Sequence, residues 1–342
     1  MKSRNIFFAG LGAAALAVAA YCPKPATTGN KEAVLMQTLI GGLEQLHFSP
    51  PTIDDEFSKK VYKTYLNHLD FGRRFLIQSD VDKLKAYETK LDDQIHAGST
   101  EFFDLSLTIL DEGMTKAEAF YKDAIAQPMD FTKKEEVELD GDKKPYAKND
   151  AELKDMWRRM IKYEVMTRLA NKLEIKEKAK TDPKSDVKSD SKEQVNSDAK
   201  SETKTEIKDK SETELQADAL KEATKNYNDY FKRIKKIKRS DRFGIFLNAI
   251  TAVYDPHTEY FAPIEKQNFD LGMSGRLIGI GARLQSDPDG DFTKVSDIIT
   301  GGPAWKQKDL VEGDLIMKVA QGDKDPVDVA GMDINDVVSM IR

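Results

Sequence analysis

The sequence predicts an α+β protein, in which a mostly helical N-terminal domain precedes a small β-rich domain that is incomplete at its C-terminus. From about residue 31 to residue 254, apolar residues recur at the three- and four-residue steps of amphipathic helices. After Tyr254 the pattern changes to short alternating runs between glycine turns. Pro256 marks the boundary, because proline lacks a backbone donor and disfavours helix in the preceding residue.

The N-terminus has the pattern of an export signal over residues 1–20. Lys2 and Arg4 form a basic start, residues 6–20 are an apolar run, and Ala17-Val18-Ala19 offers small residues for cleavage. A retained membrane anchor is disfavoured, because the run is shorter than the ~20 residues that a spanning helix needs. With 39% hydrophobic and 33% charged residues, the rest of the chain is typical of a soluble protein.

The single cysteine, Cys22, lies just after the apolar run. Lipidation of Cys22 is one alternative, but the bulky Tyr21 before it favours simple cleavage near Ala19 or Ala20. With one cysteine, the chain forms no intramolecular disulfide.

Six apolar stripes predict helices between residues 31 and 254, and we expect each stripe to face the core. Asp54 or Asp55, Ser79 and Ser240 are predicted to cap the first, second and last of these helices. The stripes are Phe57, Val61, Tyr65 and Leu69; Val81, Leu84, Leu91 and Ile95; Leu107, Leu110, Met114 and Phe120; Trp157, Ile161, Val165, Leu169 and Leu173; Tyr227, Tyr230, Ile234 and Ile237; Phe246, Ile250 and Val253.

A charged segment interrupts this helical domain between about Glu174 and Glu214. Lys, Glu, Asp, Ser and Thr dominate it, and aromatic residues are missing. Such a segment buries too little apolar surface to offset its ordering entropy, so we expect a solvated, disordered insertion that is helical near its ends. A tether or docking tail is the functional alternative.

Short strands and one amphipathic helix are expected within residues 255–342. Leu284 and the run Phe292–Ile299 are predicted to be extended, with a turn over residues 287–290 between them. A short helix near Ala304–Lys308 follows a Gly-Pro turn. Leu315, Met317 and Val319 alternate as in a half-buried strand, and the last predicted helix presents Ile334, Val337, Val338 and Ile341 on one face.

The glycine loop Gly279-Ile280-Gly281-Ala282 is the strongest candidate binding feature. A glycine turn that enters a strand exposes successive main-chain N–H groups, which suit a carboxylate, and an extended peptide can then pair with the strand edge. We expect a peptide C-terminus on the N–H groups of Ile280, Gly281 and Ala282, with peptide backbone along Ala282–Leu284. The last peptide side chain is expected between Ile280, Val337 and Ile341. An unliganded turn is the simpler alternative.

Other polar clusters give weaker signals. His257, within Asp255-Pro256-His257-Thr258, is expected to have a structural role, because no nucleophile is indicated near it. His47, His68 and His96 are dispersed, so neither a metal site nor a cofactor is expected. The basic run 232–242 is interpreted as a solvated helix face, with anionic lipid or an acidic partner as the alternative. The net charge of −6 disfavours nucleic acid.

These motifs together resemble the tail-specific proteases, or C-terminal processing peptidases, of the larger periplasmic type. Asp255-Pro256-His257-Thr258-Glu259-Tyr260 resembles the junction before the PDZ domain of that family. Gly279-Ile280-Gly281-Ala282, Gly301-Gly302-Pro303-Ala304 and Gly313-Asp314-Leu315-Ile316 resemble its PDZ signatures. Leu69-Asp70-Phe71, Phe75-Leu76 and Gln78-Ser79-Asp80 resemble its helical N-terminal domain.

The resemblance implies a periplasmic serine protease of Gram-negative bacteria, in which a lysine is the general base for the serine. Its PDZ domain, here 255–342, would bind free, apolar C-termini of protein substrates, and an envelope lipoprotein adaptor is an additional candidate partner. The catalytic domain would follow residue 342, so no catalytic residue is assigned and the chain alone is expected to be inactive. A free-standing adaptor and a helical envelope protein with a vestigial PDZ-like end are the alternatives.

Overall fold

The computed structural model describes residues 31–181, 207, 209–274, 279–287 and 292–341. The predicted export signal, Cys22, residues 288–290 of the predicted turn and most of the charged insertion lie outside these ranges. Within them, no helix combines the length and apolar character that crossing a membrane requires.

The predicted fold class is confirmed: helices dominate, and short antiparallel strands follow near the C-terminus. The helices before the strands are α1 (Lys31–Leu46), α2 (Asp55–Leu69), α3 (Gln78–Lys85), α4 (Leu91–Ala97), α5 (Glu101–Ala126), α6 (Asp150–Thr181), α7 (Glu212–Lys236), α8 (Arg239–Tyr254) and α9 (Pro263–Ser274). The later elements are β1 (Ala282–Ser286), β2 (Thr293–Ile298), α10 (Pro303–Gln307), β3 (Leu315–Ile316), β4 (Lys318–Val319), β5 (Val327–Asp328) and α11 (Ile334–Ile341).

The chain divides into two compact units. The described part of the first unit comprises residues 31–116, 139–153 and 245–259, and that of the second comprises 117–138, 154–244 and 260–341. The boundary predicted near residue 254 for a separate C-terminal domain stays a prediction.

An aromatic cluster forms the core of the first unit. Phe246 of α8 stacks on Phe103 of α5, with ring centroids 5.6 Å apart, and meets Tyr65 of α2 edge-on at 5.0 Å. The buried Tyr65 hydroxyl donates to Ser106 Oγ at 2.8 Å, because Ser106 itself donates to the Phe103 carbonyl at 2.7 Å. Both hydroxyls are therefore hydrogen-bonded, so burying them in the core carries little free-energy cost.

The Asp70 motif orders the chain between α2 and α3. The Asp70 side chain is 3% exposed and accepts from the N–H groups of Arg74, Phe75 and Leu76 at 2.8, 3.0 and 2.9 Å. Burial raises the pKa of Asp70, and these N–H donors oppose that shift. The motif therefore has a structural role in this unit.

A second aromatic cluster joins the helices of the second unit. Trp157 of α6 is fully buried, and its ring lies 5.6 Å from that of Phe231 of α7. Tyr121 of α5 stacks on Phe231 at 5.5 Å, and its hydroxyl contacts the Thr224 carbonyl at 3.0 Å and Asn228 Oδ1 at 2.9 Å. Each of the three long helices therefore contributes an aromatic side chain to one core.

The described strands form two small antiparallel sheets. The first has the order β1-β2-β3, and the second pairs β4 with β5. Ala282 lies opposite Ile298 and Arg283 opposite Asp297, after which a bulge shifts the register so that Leu284 lies opposite Val295. Helix α11 packs its buried Val337 with Val319 and Val329.

Several helix predictions are confirmed, and the predictions for two helix starts are wrong. Asp54 caps α2 by accepting from the N–H of Phe57 at 2.9 Å. The second stripe is divided between α3 and α4, and α3 begins before Ser79 because the Asp80 carboxylate accepts from the N–H of Ile77 at 3.3 Å. Ser240 lies inside α8, since the N–H of Asp241 already bonds to the Lys238 carbonyl.

The fifth stripe is only partly correct. Phe231, which was not in that stripe, is buried on α7, whereas Ile237 is 41% exposed just after the helix end. Phe231 is the buried residue of α7 whose ring meets that of Trp157. Within the predicted charged insertion, Ile207 is buried, which contradicts full solvation at that residue.

Two predictions for the C-terminal region are wrong. Helix α9 occupies part of the segment assigned to strands and turns; Pro263 begins it, and Glu265 accepts from the N–H of Ala262 at 2.8 Å. The predicted strand over Leu315, Met317 and Val319 is divided between two sheets. Leu315 and Met317 are 45% and 49% exposed, so only Val319 reaches the core.

Replacement of Gly113 in α5 by alanine should destabilise the first unit, although alanine favours helix. An added Cβ would lie 2.6 Å from the Phe75 carbonyl oxygen, and this overlap costs about 1–3 kcal/mol. Gly41→Ala is the matched control in α1, where nothing lies within 4 Å, and it should stabilise by up to about 1 kcal/mol. Urea denaturation of both variants measures the difference. Stabilisation by Gly113→Ala would contradict the packing.

Candidate functional site

Glycine geometry positions the predicted binding loop. Gly279 and Gly281 have φ angles of 147° and 78°, in a region that residues other than glycine rarely adopt. A Cβ on Gly281 would lie 2.9 Å from Pro303 Cδ and 3.1 Å from Gly302 Cα. The loop therefore packs its backbone directly against the turn that begins α10.

Two carbonyl groups of this loop are bonded to neighbouring backbone. The Ile280 carbonyl accepts from the N–H of Ala304 at 2.8 Å, and the Gly281 carbonyl accepts from the N–H of Ile299 at 2.9 Å. In a planar trans peptide, the N–H that follows a carbonyl points the opposite way. The N–H groups of Gly281 and Ala282 consequently point away from α10 and β2. Among hydrogen bonds between described residues, none uses the N–H of Ile280 or Gly281.

Strand β1 continues from this loop as an edge strand. Among the described strands, it pairs on one side only, with β2. The N–H and C=O groups of Val295 in β2 bond to Asp314 and Gly313, on the side of β2 away from β1. Val295 and Leu284 therefore lie opposite each other as a pair without hydrogen bonds. The polar backbone groups of Ala282 and Leu284 are therefore directed to the open edge of β1.

Helix α11 contacts both β1 and β4. Of the predicted site residues on this helix, Val337 is 0% exposed and belongs to the core of the small sheets, while Ile341 is partly exposed and packs against that core. Ile280 is also partly exposed, and Leu284 is half-buried. Ile280 of the loop and Ile341 of α11 thus keep exposed apolar surface, whereas Val337 lies inside the core of the small sheets.

A separate polar cluster lies at the end of α8, in the first unit. Asp255 accepts from the N–H groups of His257 and Thr258 at 2.7 and 3.1 Å, from the Thr258 hydroxyl, and from His47 Nε2 at 2.8 Å. These bonds, that of Thr258 first, hold the pKa of Asp255 well below its usual range. The His47 ring lies edge-on to Tyr254 at 5.6 Å.

This cluster ties the end of α8 to the end of α1. The exposed His257 side chain is not the partner of Asp255; only its backbone is. Sequence reasoning missed the His47–Asp255 pair, because 207 intervening residues separate them and no local spacing relates them. Within the described ranges, no group of three or more His, Cys, Asp or Glu side chains is arranged to hold a metal ion.

Comparison with known proteins assigns the family. The model of the Tail specific protease N-terminal domain matches residues 39–264. The chain therefore belongs to the tail-specific protease family, as the sequence motifs suggested.

Two curated relatives support this assignment. The Tail-specific protease of Haemophilus influenzae is 28% identical over 304 residues, which cover 88% of this chain and 37% of the relative. The Carboxy-terminal processing protease CtpA of Bacillus subtilis is 31% identical over 115 residues, which cover 34% of this chain and 22% of the relative. The chain thus spans well under half the length of either relative.

Replacement of Asp255 by asparagine should lower the melting temperature at pH 7, because the amide leaves some of the surrounding donors without an acceptor. The folded-state pKa of Asp255 is lowered, so its stabilisation is present above about pH 4 and is lost as the pH falls below that value. The difference from the unmodified protein should therefore be nearly constant above about pH 5 and shrink as the pH falls from about 4 to about 2.

The exposed neighbour Glu259 provides the control, because Glu259→Gln removes the same charge without these bonds. Equal melting temperatures for Asp255→Asn and Glu259→Gln at pH 7 would contradict a structural role for the cluster. Differential scanning fluorimetry across this pH range measures all three proteins.

Proposed function

We propose that this chain provides the substrate-recognition part of a periplasmic tail-specific serine protease, and that residues 255–342 act as a PDZ-like module that binds free C-termini of proteins. The observation that carries the proposal is the outward direction of the Gly281 and Ala282 N–H groups at the start of an open strand edge. The names of the two relatives, which refer to tails and carboxy-terminal processing, support the same class of substrate.

In the proposed complex, the substrate carboxylate accepts from the N–H groups of the loop. Charged acceptors make stronger hydrogen bonds to N–H groups than neutral acceptors do, so a free terminus is favoured over an amide. The substrate backbone pairs with the open groups of Ala282 and Leu284, antiparallel to β1. Its last side chain is apolar and lies against Ile280 and Ile341, in front of Val337.

The catalytic role of the complete enzyme is part of this proposal. Peptide-bond hydrolysis would use a serine and a lysine outside the residues assigned here, and the tail held by the module would be presented to them. Capture through backbone contacts, a carboxylate and one apolar side chain suits a protease with many substrates, because little of the substrate sequence is read.

A peptide that ends in valine with a free carboxylate should bind this chain with a dissociation constant on the order of 1–100 μM. The same peptide with a C-terminal amide should bind at least about tenfold more weakly, because charge-assisted bonds of about 1.5–3 kcal/mol are lost. Isothermal titration calorimetry measures both. Equal affinity of the two peptides would refute carboxylate recognition.

Gly281→Ala should abolish this binding, because the left-handed loop conformation and the contact with Pro303 exclude a Cβ. Gly322→Ala is the matched control: Gly322 also has a positive φ of 59°, but it lies in a turn with nothing within 4 Å. Circular dichroism checks that both variants are folded. Retained binding by folded Gly281→Ala would contradict the assigned loop.

A further inference from the structure

We propose that Arg283 selects the penultimate residue of the bound tail and favours an acidic side chain there. This inference rests on the proposed function, since it concerns the same strand edge. It adds a charge preference to a site that is otherwise apolar and main-chain in character.

The register of β1 fixes which substrate residue is opposite Arg283. The backbone N–H and C=O groups of Ala282 and Leu284 are directed to the open edge. Those of Arg283 are directed to β2, where the Arg283 carbonyl accepts from Ser296 Oγ at 3.2 Å. With the carboxylate on the loop, the last residue lies opposite Ala282. The penultimate residue then lies opposite Arg283, in a pair without hydrogen bonds, where Cα atoms approach to about 4.5 Å.

The side chains of directly opposite residues share one face of a sheet. Arg283 is on the outer face, because its guanidinium lies 3.4 Å from Asp297 of β2 and its side chain is 72% exposed. Ala282 and Leu284 are on the opposite, inner face with the buried Val295. The substrate therefore places its last and third-from-last side chains inward and its penultimate side chain outward, beside Arg283.

The existing ion pair leaves Arg283 available to a ligand. Asp297 is 50% exposed, and its closest approach to Arg283 is 3.4 Å, so the pair is a solvated surface contact that contributes little stability. A flexible guanidinium with five donors can contact carboxylates on both neighbouring strands. In the added strand, Arg283 would lie between Asp297 and the penultimate side chain.

Three peptides test the inference: they share a C-terminal valine and differ only in a penultimate Glu, Gln or Lys. Cross-strand charge pairs contribute about 0.2–1 kcal/mol, which is about 1.4- to 5-fold per step in affinity. We expect the order Glu, Gln, Lys from tightest to weakest, with smaller differences in 0.5 M salt. A Glu moved to the third-from-last position should weaken binding, because that side chain faces inward.

Variants at Arg283 separate this effect from general electrostatics. Arg283→Gln should bring the three affinities together, and Arg283→Glu should reverse their order. Lys324→Glu makes the same kind of charge change on an exposed turn of the module and should keep the original order.

The failures of the inference and of the proposed function are distinguishable. If the free-carboxylate peptides bind better than their amides but the penultimate residue makes no difference, the charge preference is wrong and the proposed function stands. If Lys324→Glu changes the order as much as Arg283→Glu does, the preference is a general field effect and the role of Arg283 is refuted. If the amides bind equally well, the proposed function itself fails.

Discussion

The close contact between Gly281 and the Gly302-Pro303 turn is the constraint on which the candidate site depends. A Cβ on Gly281 would lie 2.9 Å from Pro303 Cδ and 3.1 Å from Gly302 Cα, so Gly281 has no room for a side chain. This contact lets the Ile280 carbonyl reach Ala304, and the rigid peptide plane then turns the next N–H outward. The outward direction of the loop N–H groups thus follows from packing behind the loop and needs no bound ligand.

The same loop also sets the direction in which β1 leaves it. The Gly281 carbonyl accepts from the N–H of Ile299. The backbone groups of the residues that follow therefore point to the open edge at Ala282, to β2 at Arg283 and to the open edge again at Leu284. The outward N–H groups of the loop and the open edge of β1 are therefore adjacent and in register, which is what the proposed recognition of a chain terminus requires. The packing of the long helices has a different physical basis, since the aromatic clusters around Phe246 and Trp157 are built from side chains.

The sequence predicted those features that depend on local chemistry. Asp54 capped its helix, Pro256 ended one, and the glycine loop led into a strand, because each depends on residues within one turn. The division of the second stripe between α3 and α4 was not predictable from apolar spacing, since Leu84 and Leu91 fit one continuous helix. Helix α9 had a local signal, Pro263 followed by Glu265, which the apolar pattern obscured.

Long-range pairs set the other limit on prediction, and they also explain how a site of this kind can be selective. The Arg283–Asp297 pair, like His47–Asp255, follows from strand and helix placement and not from spacing in the sequence. A binding edge built from backbone groups discriminates weakly, because every peptide presents the same groups. Selectivity must then come from the two faces of the added strand. In the proposed complex, the inner face would meet the apolar side chains of Ile280 and Ile341 and the outer face the exposed charge of Arg283, so a modest preference there would rank tails without excluding any.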